Sequence, residues 1–264
     1  MKTLIVSLGP YQARGMDAWH DHGAGMTYAA AKNAGCDVTF LDMKALRSDE
    51  ELKLRLRGYD LVGFGLKSSY YNIGMRVIAA AKAAGAKVIV GGYHATAAPQ
   101  ELIENPNVDW IFHGESEITF PKFLQSRSAY EREIWGEKPA DLDDLPIMDR
   151  SIFANPIEDC SGWWHGGRKR MISVISARGC PYRCLFCQPI EDNHFGKLRR
   201  KSVDALIAEL REVKERYNPE CLMIHDDTFL LNRKWIEEFI EKYPEIGLPF
   251  WAAGRADGIV KYAD

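Results

Sequence analysis

The chain has 264 residues, 46% of them hydrophobic and 27% charged, with a formal net charge of −3. That balance excludes a disordered chain and gives no global pull on nucleic acid, with Arg168-Lys169-Arg170 and Lys197 to Lys201 as local basic exceptions. No apolar run approaches the ~20 residues that a membrane-spanning helix needs, and Met1 to Leu8 is too short and poorly flanked for a signal peptide. The length predicts roughly two domains at about 100–200 residues each. Six cysteines do not make a disulfide scaffold in a chain this long, and three of them fall inside eight residues, which points to metal chemistry in a reducing cytosol.

Residues 1–127 alternate strand and helix patterns. Thr3 to Leu8 reads as a strand, Gly25 to Ala34 as an Ala-rich helix, Asp37 to Asp42 as a strand and Ser48 to Arg57 as a charged helix. Asp60 to Leu66 (strand), Asn72 to Ala84 (helix) and Ala86 to Val90 (strand) follow. Pro99 to Glu104 (short helix), Val108 to Phe112 (strand) and Ser116 to Gln125 (helix) complete the series. Strands recurring at this interval with helices between them predict a parallel sheet covered on both faces, a doubly wound α/β domain of Rossmann or flavodoxin type. Gly35, Gly58 and Gly85 each stand where a helix must close before the next strand.

Residues 128–170 break the rhythm and read as a linker, with the acidic, proline-punctuated stretch Gly136 to Pro146 and an aromatic loop Trp163-Trp164-His165-Gly166-Gly167. A second α/β pattern fills 171–264. Met171 to Ser176 is a strand, Ser202 caps a helix to Tyr217, and Cys221 to Ile224 is a strand. Asn232 caps a helix whose Trp235, Ile236, Phe239, Ile240 and Tyr243 form an apolar stripe; Pro249 to Ala253 is a third strand, and Arg255 to Gly258 begins a loop. Three strands and two helices make an open half-sheet with an exposed edge, so the chain reads as truncated or completed by something else.

Cys180-Pro181-Tyr182-Arg183-Cys184-Leu185-Phe186-Cys187 has the spacing C-x3-C-x2-C directly after a strand. Thiolates this close converge on one soft metal centre if the loop wraps around it. Three ligands leave one iron of a four-iron cluster open. A structural zinc site would instead want a fourth ligand, for which His194 is available, and three buried thiols are the plainest alternative.

Arg178-Gly179 with this cysteine run, an aromatic standing before the third cysteine, resembles the cluster loop of radical S-adenosylmethionine (SAM) enzymes. Gly91-Gly92-Tyr93-His94-Ala95-Thr96-Ala97-Ala98-Pro99-Gln100-Glu101, Val108-Asp109 and His113-Gly114-Glu115-Ser116-Glu117 are similar to the cobalamin-binding domain that precedes the barrel in one subclass. His225-Asp226-Asp227-Thr228-Phe229-Leu230-Leu231-Asn232 resembles the segment after that subclass's second barrel strand. The resemblance implies a cobalamin-binding domain followed by a partial (β/α) radical SAM barrel holding its first three strands.

By that resemblance, Cys180, Cys184 and Cys187 would hold a [4Fe–4S] cluster that binds and cleaves SAM, giving a 5′-deoxyadenosyl radical, with cobalamin as methyl carrier. The implied activity is methylation of an unactivated carbon or phosphorus; a non-methylating cyclisation or rearrangement, or an inactive fragment needing a partner chain, are the alternatives. The implied partners are a small-molecule or peptide substrate and an electron donor such as a flavodoxin or ferredoxin, in the cytoplasm. Cofactor contacts would come from Ser68, Ser69, Gly91, Gly92, Tyr93, His94, Gly114 and Glu115 at the carboxyl ends of the first domain's strands, and from Phe186, Asp226, Asp227 and Arg255 in the second. Asp226 and Asp227 would reach the SAM amino group or ribose, against a plain helix-entry turn; Arg255 would pair with a carboxylate, against a surface role. The motif Asp-x-His-x-x-Gly, by which some cobalamin domains ligate cobalt, is missing from the sequence; His20, His22 or His94 would be left to approach the lower face, against the plainer reading of each as a polar loop histidine. Cys36, Cys160 and Cys221 read as packing or loop residues, and Lys197 to Lys201 as a solvated basic turn.

Overall fold

The computed structural model describes residues 1–15, 19–159, 170–182, 184, 185, 187 and 198–262. It divides into two compact units, residues 1–139 with 145–156 and residues 140–144 with 157–264.

The first unit is built on β1 (Thr3–Ser7), β2 (Val38–Asp42), β3 (Leu61–Gly65), β4 (Lys87–Gly91), β5 (Trp110–His113) and β6 (Glu133–Trp135). They form one sheet in the order β2-β1-β3-β4-β5-β6, every neighbouring pair parallel. Alternation along the strands shows why both faces are covered. Leu4, Val6, Val62, Phe64, Val88 and Val90 enter one apolar core, while Ile5, Leu61, Ile89 and Phe112 enter the other. The covering helices begin where short polar side chains accept otherwise unpaired amides. Asp21 accepts from the Ala24 N–H before α1 (His22–Asn33), and Ser48 accepts from the Glu51 N–H before α2 (Asp49–Arg55). Gly35 and Gly85 adopt φ of +74° and +83° just after α1 and α3 (Tyr71–Ala83), turning the chain into the next strand.

Two elements differ from the sequence reading. The six residues Gly92–Ala97 form a helix, α4, between the expected strand Ala86 to Val90 and the expected helix Pro99 to Glu104, where the sequence reading assigns no element; a Gly-Gly start and a short segment without a repeating apolar face hide it. Strand β6 comes from the stretch read as linker. Only Ile134 of its three residues is buried, too brief an alternation to register as a strand. Helices α5 (Gln100–Ile103) and α6 (Thr119–Gln125) fall inside the segments expected to be helical.

The second unit carries β7 (Glu158–Asp159), β8 (Arg170–Val174), β11 (Cys221–Ile224) and β12 (Phe250–Ala252) in the sheet order β12-β11-β8-β7. β8, β11 and β12 run parallel, while β7 pairs antiparallel with β8. The connections are α7 (Val203–Tyr217), capped by Ser202, and α8 (Arg233–Lys242), capped by Asn232. Their apolar stripes pack Leu206, Leu210, Trp235 and Phe239 against Ile172, Val174, Leu222 and Ile224. Successive β–α–β crossovers of this kind fit part of a (β/α) barrel. Residues Ala256–Lys261, expected as loop, form a helix, α9. A short antiparallel ribbon pairs β9 (Ala177–Arg178) with β10 (Arg199–Arg200). Among the described residues no helix is long and apolar enough to cross a membrane.

Candidate functional site

In the first sheet the strand order reverses beside β1, so the crevice that such folds use for ligands lies at the carboxyl ends of β1 and β3. The loops there are hydrogen-bonded into one floor. The Leu66 N–H donates to the Gly91 carbonyl at 2.8 Å, and the His94 N–H to the Leu66 carbonyl at 2.9 Å. Ser68 Oγ lies 2.9 Å from His94 Nδ1, and the Gly114 N–H donates to Thr96 Oγ at 3.2 Å. Ser69 and Tyr93 stay exposed on this edge, whereas Glu115 is buried.

The glycine pair has an internal cause. Gly92 takes φ of +85°, and a Cβ there would lie 2.8 Å from the Leu66 nitrogen and 3.0 Å from its carbonyl oxygen. Only glycine lets the start of α4 approach the end of β3 this closely. Gly92→Ala should therefore cost about 2 kcal/mol or more, the left-handed conformation alone accounting for ~1–2 kcal/mol. Gly114, with φ of +76° and nothing within 4 Å, isolates the conformational part. Comparing the thermal midpoints of Gly92→Ala and Gly114→Ala checks the argument, and equal losses would defeat it.

His94 is buried rather than presented to the crevice. Its Nε2 lies 3.7 Å from Glu101 Oε2, and its ring centroid is 5.3 Å from that of Tyr71. The Tyr71 hydroxyl hydrogen-bonds to Glu101, which pushes the phenol's pKa up. His20 is also packed inward, stacked on Phe153 at 4.3 Å with Nε2 2.9 Å from the Asn155 carbonyl. His22 is the first residue of α1.

In the second unit the cysteine run starts at the carboxyl end of β8, just beyond β9. Cys180 and Cys184 are half-buried and Cys187 is exposed; none is in a disulfide. The Cys187 N–H donates to the Cys184 carbonyl at 2.9 Å, closing a turn that carries both thiols. Among the described residues no three His, Cys, Asp or Glu side chains already stand at metal-holding distance. Phe186 and His194 lie outside the described residues, as do Cys160 and the Trp163-Trp164 loop. The donor set itself, three thiols on one short loop, suits a soft iron–sulfur centre.

What holds the base of this loop was not foreseen. β9 and β10 zip its two ends together, and the Lys201 N–H donates to the Ser176 carbonyl at 2.9 Å. Asp226, just past β11, is buried beneath the ribbon. Its Oδ1 accepts from the Ser176 N–H at 2.7 Å and the Ala177 N–H at 2.9 Å, and its Oδ2 accepts from the Ser176 hydroxyl. Oδ2 also faces the Arg200 guanidinium at 3.7 Å. Burial pushes the Asp226 carboxyl above the ordinary carboxylate range, against the pull of these donors. Its two oxygens are thus engaged by both ends of the cysteine loop. Asp227, beside it, is exposed.

The basic run 197–201 is not solvated at its far end. Arg200 donates to the carbonyls of Leu231, Thr228 and Phe229 and lies 4.3 Å over the Trp235 ring. Lys201 Nζ is buried against Glu209 Oε2 at 2.6 Å. The charges pointed to solvent when read locally, but the hydrogen-bond partners of Arg200 and Lys201 come from 8 to 31 residues away. Arg255, after β12, reaches back to the loop: its Nη1 lies 3.6 Å from Cys184 Sγ, and its guanidinium sits 3.9 Å from the centroid of the Tyr182 ring.

A family model described as B12 binding domain matches residues 15–124, and one described as Radical SAM superfamily matches residues 174–248. The two domains imply cobalamin, SAM and a [4Fe–4S] cluster. The chain is similar to the cytidylyl-2-hydroxyethylphosphonate methyltransferase of Streptomyces wedmorensis, 24% identical across 64% of this chain and 39% of that protein. It is similar to the bacteriochlorophyllide d C-12(1)-methyltransferase of Chlorobaculum tepidum, 24% identical across 80% of this chain and 45% of that protein. It is also similar to an anaerobic magnesium-protoporphyrin IX monomethyl ester cyclase of Synechocystis sp., 23% identical across 88% of this chain and 50% of that protein. The chain thus spans half or less of the length of these relatives.

Proposed function

We propose that this chain, which joins a B12 binding domain to a Radical SAM superfamily segment, works as a cobalamin-dependent radical SAM methyltransferase acting on an unactivated carbon or phosphorus. The observation that carries the reading is the three-cysteine loop at the carboxyl end of the first of three parallel strands, on the same chain as a switch-point crevice. When bound, the cluster and cobalamin supply one-electron cleavage of SAM and a methyl group carried on cobalt.

The residues divide the remaining work. Cys180, Cys184 and Cys187 would be the cluster ligands, three thiols that metal binding would have to draw together on the loop. Asp226, the β9–β10 ribbon and Arg200 hold the loop's two ends, so the thiols start from a fixed base. In the first unit, Ser68, Ser69, Gly91, Gly92, Tyr93 and Gly114, at the carboxyl ends of the strands, would form the face that holds the corrin, with Ser69 and Tyr93 among its exposed side chains. His94, buried with its Nδ1 2.9 Å from Ser68 Oγ, stiffens that face; Glu115 is buried as well. Asp227 is the exposed carboxylate next to the loop base and takes the polar contacts to SAM.

A second reading, radical cyclisation without methylation, is favoured by the likeness to a protein named as a cyclase, which extends over 88% of this chain. Product analysis separates the two. Anaerobic incubation with SAM, a reductant and hydroxocobalamin should yield 5′-deoxyadenosine together with S-adenosylhomocysteine, because methylation makes both. 5′-Deoxyadenosine alone would favour the cyclase reading, and neither product would sink both.

A further inference from the structure

We infer that Arg255 is a positioning residue directed at a sulfur, setting the reduction potential of the cluster held by Cys180, Cys184 and Cys187; this rests on the cluster reading proposed above. Three contacts fix the guanidinium plane. One edge is held by Asp257, with Nε 3.0 Å from Oδ1 and Nη2 3.3 Å from Oδ2. One face lies over the Tyr182 ring at 3.9 Å, within cation–π range. The nitrogen left over, Nη1, is the one that donates to Cys184 Sγ at 3.6 Å.

A surface arginine paired with a neighbour two residues away would need neither the ring nor the sulfur. Here the ring and the sulfur both belong to the cysteine loop, whereas the arginine follows β12, 71 residues beyond Cys184. The aspartate clamp leaves the guanidinium one direction for its remaining donors, and that direction is the thiol.

The consequence follows from charge. A cluster gains one electron on reduction, with no bond made or broken in the protein, and its thiolate sulfurs share the added negative charge. A cationic donor on one of those sulfurs stabilises the reduced form more than the oxidised form and raises the potential, since hydrogen bonds to sulfur and net charge are what set it. Arg255 thereby eases the step that an external one-electron donor must perform.

The test is a potentiometric titration with dithionite of the anaerobically reconstituted chain, followed by electron paramagnetic resonance, for the unaltered protein, Arg255→Met and Arg255→Lys. Iron content is measured on each sample. The midpoint should move to a more negative potential in Arg255→Met, and by a smaller amount in Arg255→Lys, which keeps the charge but loses the planar fork that Asp257 clamps. If Arg255→Met holds too little cluster to titrate, Arg255→Lys carries the comparison. A midpoint unchanged in the variants while iron is retained overturns the role given to Arg255. An unaltered chain that takes up no iron overturns the cluster reading itself, a result separable from the first.

Discussion

Replacing Cys180, Cys184 and Cys187 together by alanine should abolish iron uptake while leaving both units folded. The unaltered chain, reconstituted anaerobically with iron and sulfide, should hold about four irons, show the broad brown absorbance of a [4Fe–4S] cluster and give a paramagnetic signal on reduction. The triple variant should show none of these. The fold should survive because the loop is held from its base: the β9–β10 ribbon, the Asp226 bonds and the Lys201–Ser176 bond involve no sulfur. The Cys184–Cys187 turn is closed by backbone groups and also outlasts the substitution. Cys36→Ala and Cys221→Ala are the controls. Burial pushes the Cys36 thiol up, away from the thiolate that metal binding needs, and Cys221 is wholly enclosed in β11. Both controls should retain full iron. A colourless unaltered chain carrying one zinc per molecule would end the cluster reading, and full iron in the triple variant would move the ligands elsewhere.

The strands and helices were legible wherever a period ran long enough to repeat. β1, β3 and β4 are near-continuous apolar runs because both faces of the sheet are covered, and α7 and α8 announce themselves by a cap and a stripe. Short elements escaped for the reason that a period needs length: β6 has three residues and α4 six. The candidate site was legible in its local parts, the cysteine spacing above all, and illegible where long-range partners decide a side chain's direction. Asp226 and Asp227 are adjacent and look equivalent in sequence, yet one is buried and the other exposed. Nothing local states that Asp226 meets Ser176, 50 positions earlier. Arg200 and Lys201 read as solvated because their partners, Trp235 and Glu209, stand on two different helices. The same holds for Arg255, whose neighbours Tyr182 and Cys184 lie on the cysteine loop.

Asp226→Ala should strongly damage the second unit, and its comparison with Asp226→Asn tells why. Alanine leaves the Ser176 and Ala177 amides and the Ser176 hydroxyl without their acceptor, and Arg200 without its charge partner, all beneath protein. Removing one member of a buried charged pair costs about 3–5 kcal/mol. Asparagine keeps the shape. Its carbonyl can accept from both amides, as Oδ1 now does, while its amide meets the Ser176 oxygen, which can accept. What asparagine loses is the charge facing Arg200, and that guanidinium keeps its three carbonyl acceptors and the Trp235 face. Burial also raises the Asp226 pKa, so the ionised form is costlier folded than unfolded; the stability this carboxyl contributes falls as pH rises through its titration, and asparagine removes that dependence. The expected order of urea midpoints is unaltered chain, Asp226→Asn a little lower by about 1 kcal/mol, then Asp226→Ala far below. Iron retained after reconstitution should follow the same order, because a loop with an unpinned base presents its thiols over a wider range of positions. Equal damage from asparagine and alanine would mean that charge pairing with Arg200, and not the acceptor geometry, holds the loop. Full iron retention in Asp226→Ala would show that the cysteines need no such base at all.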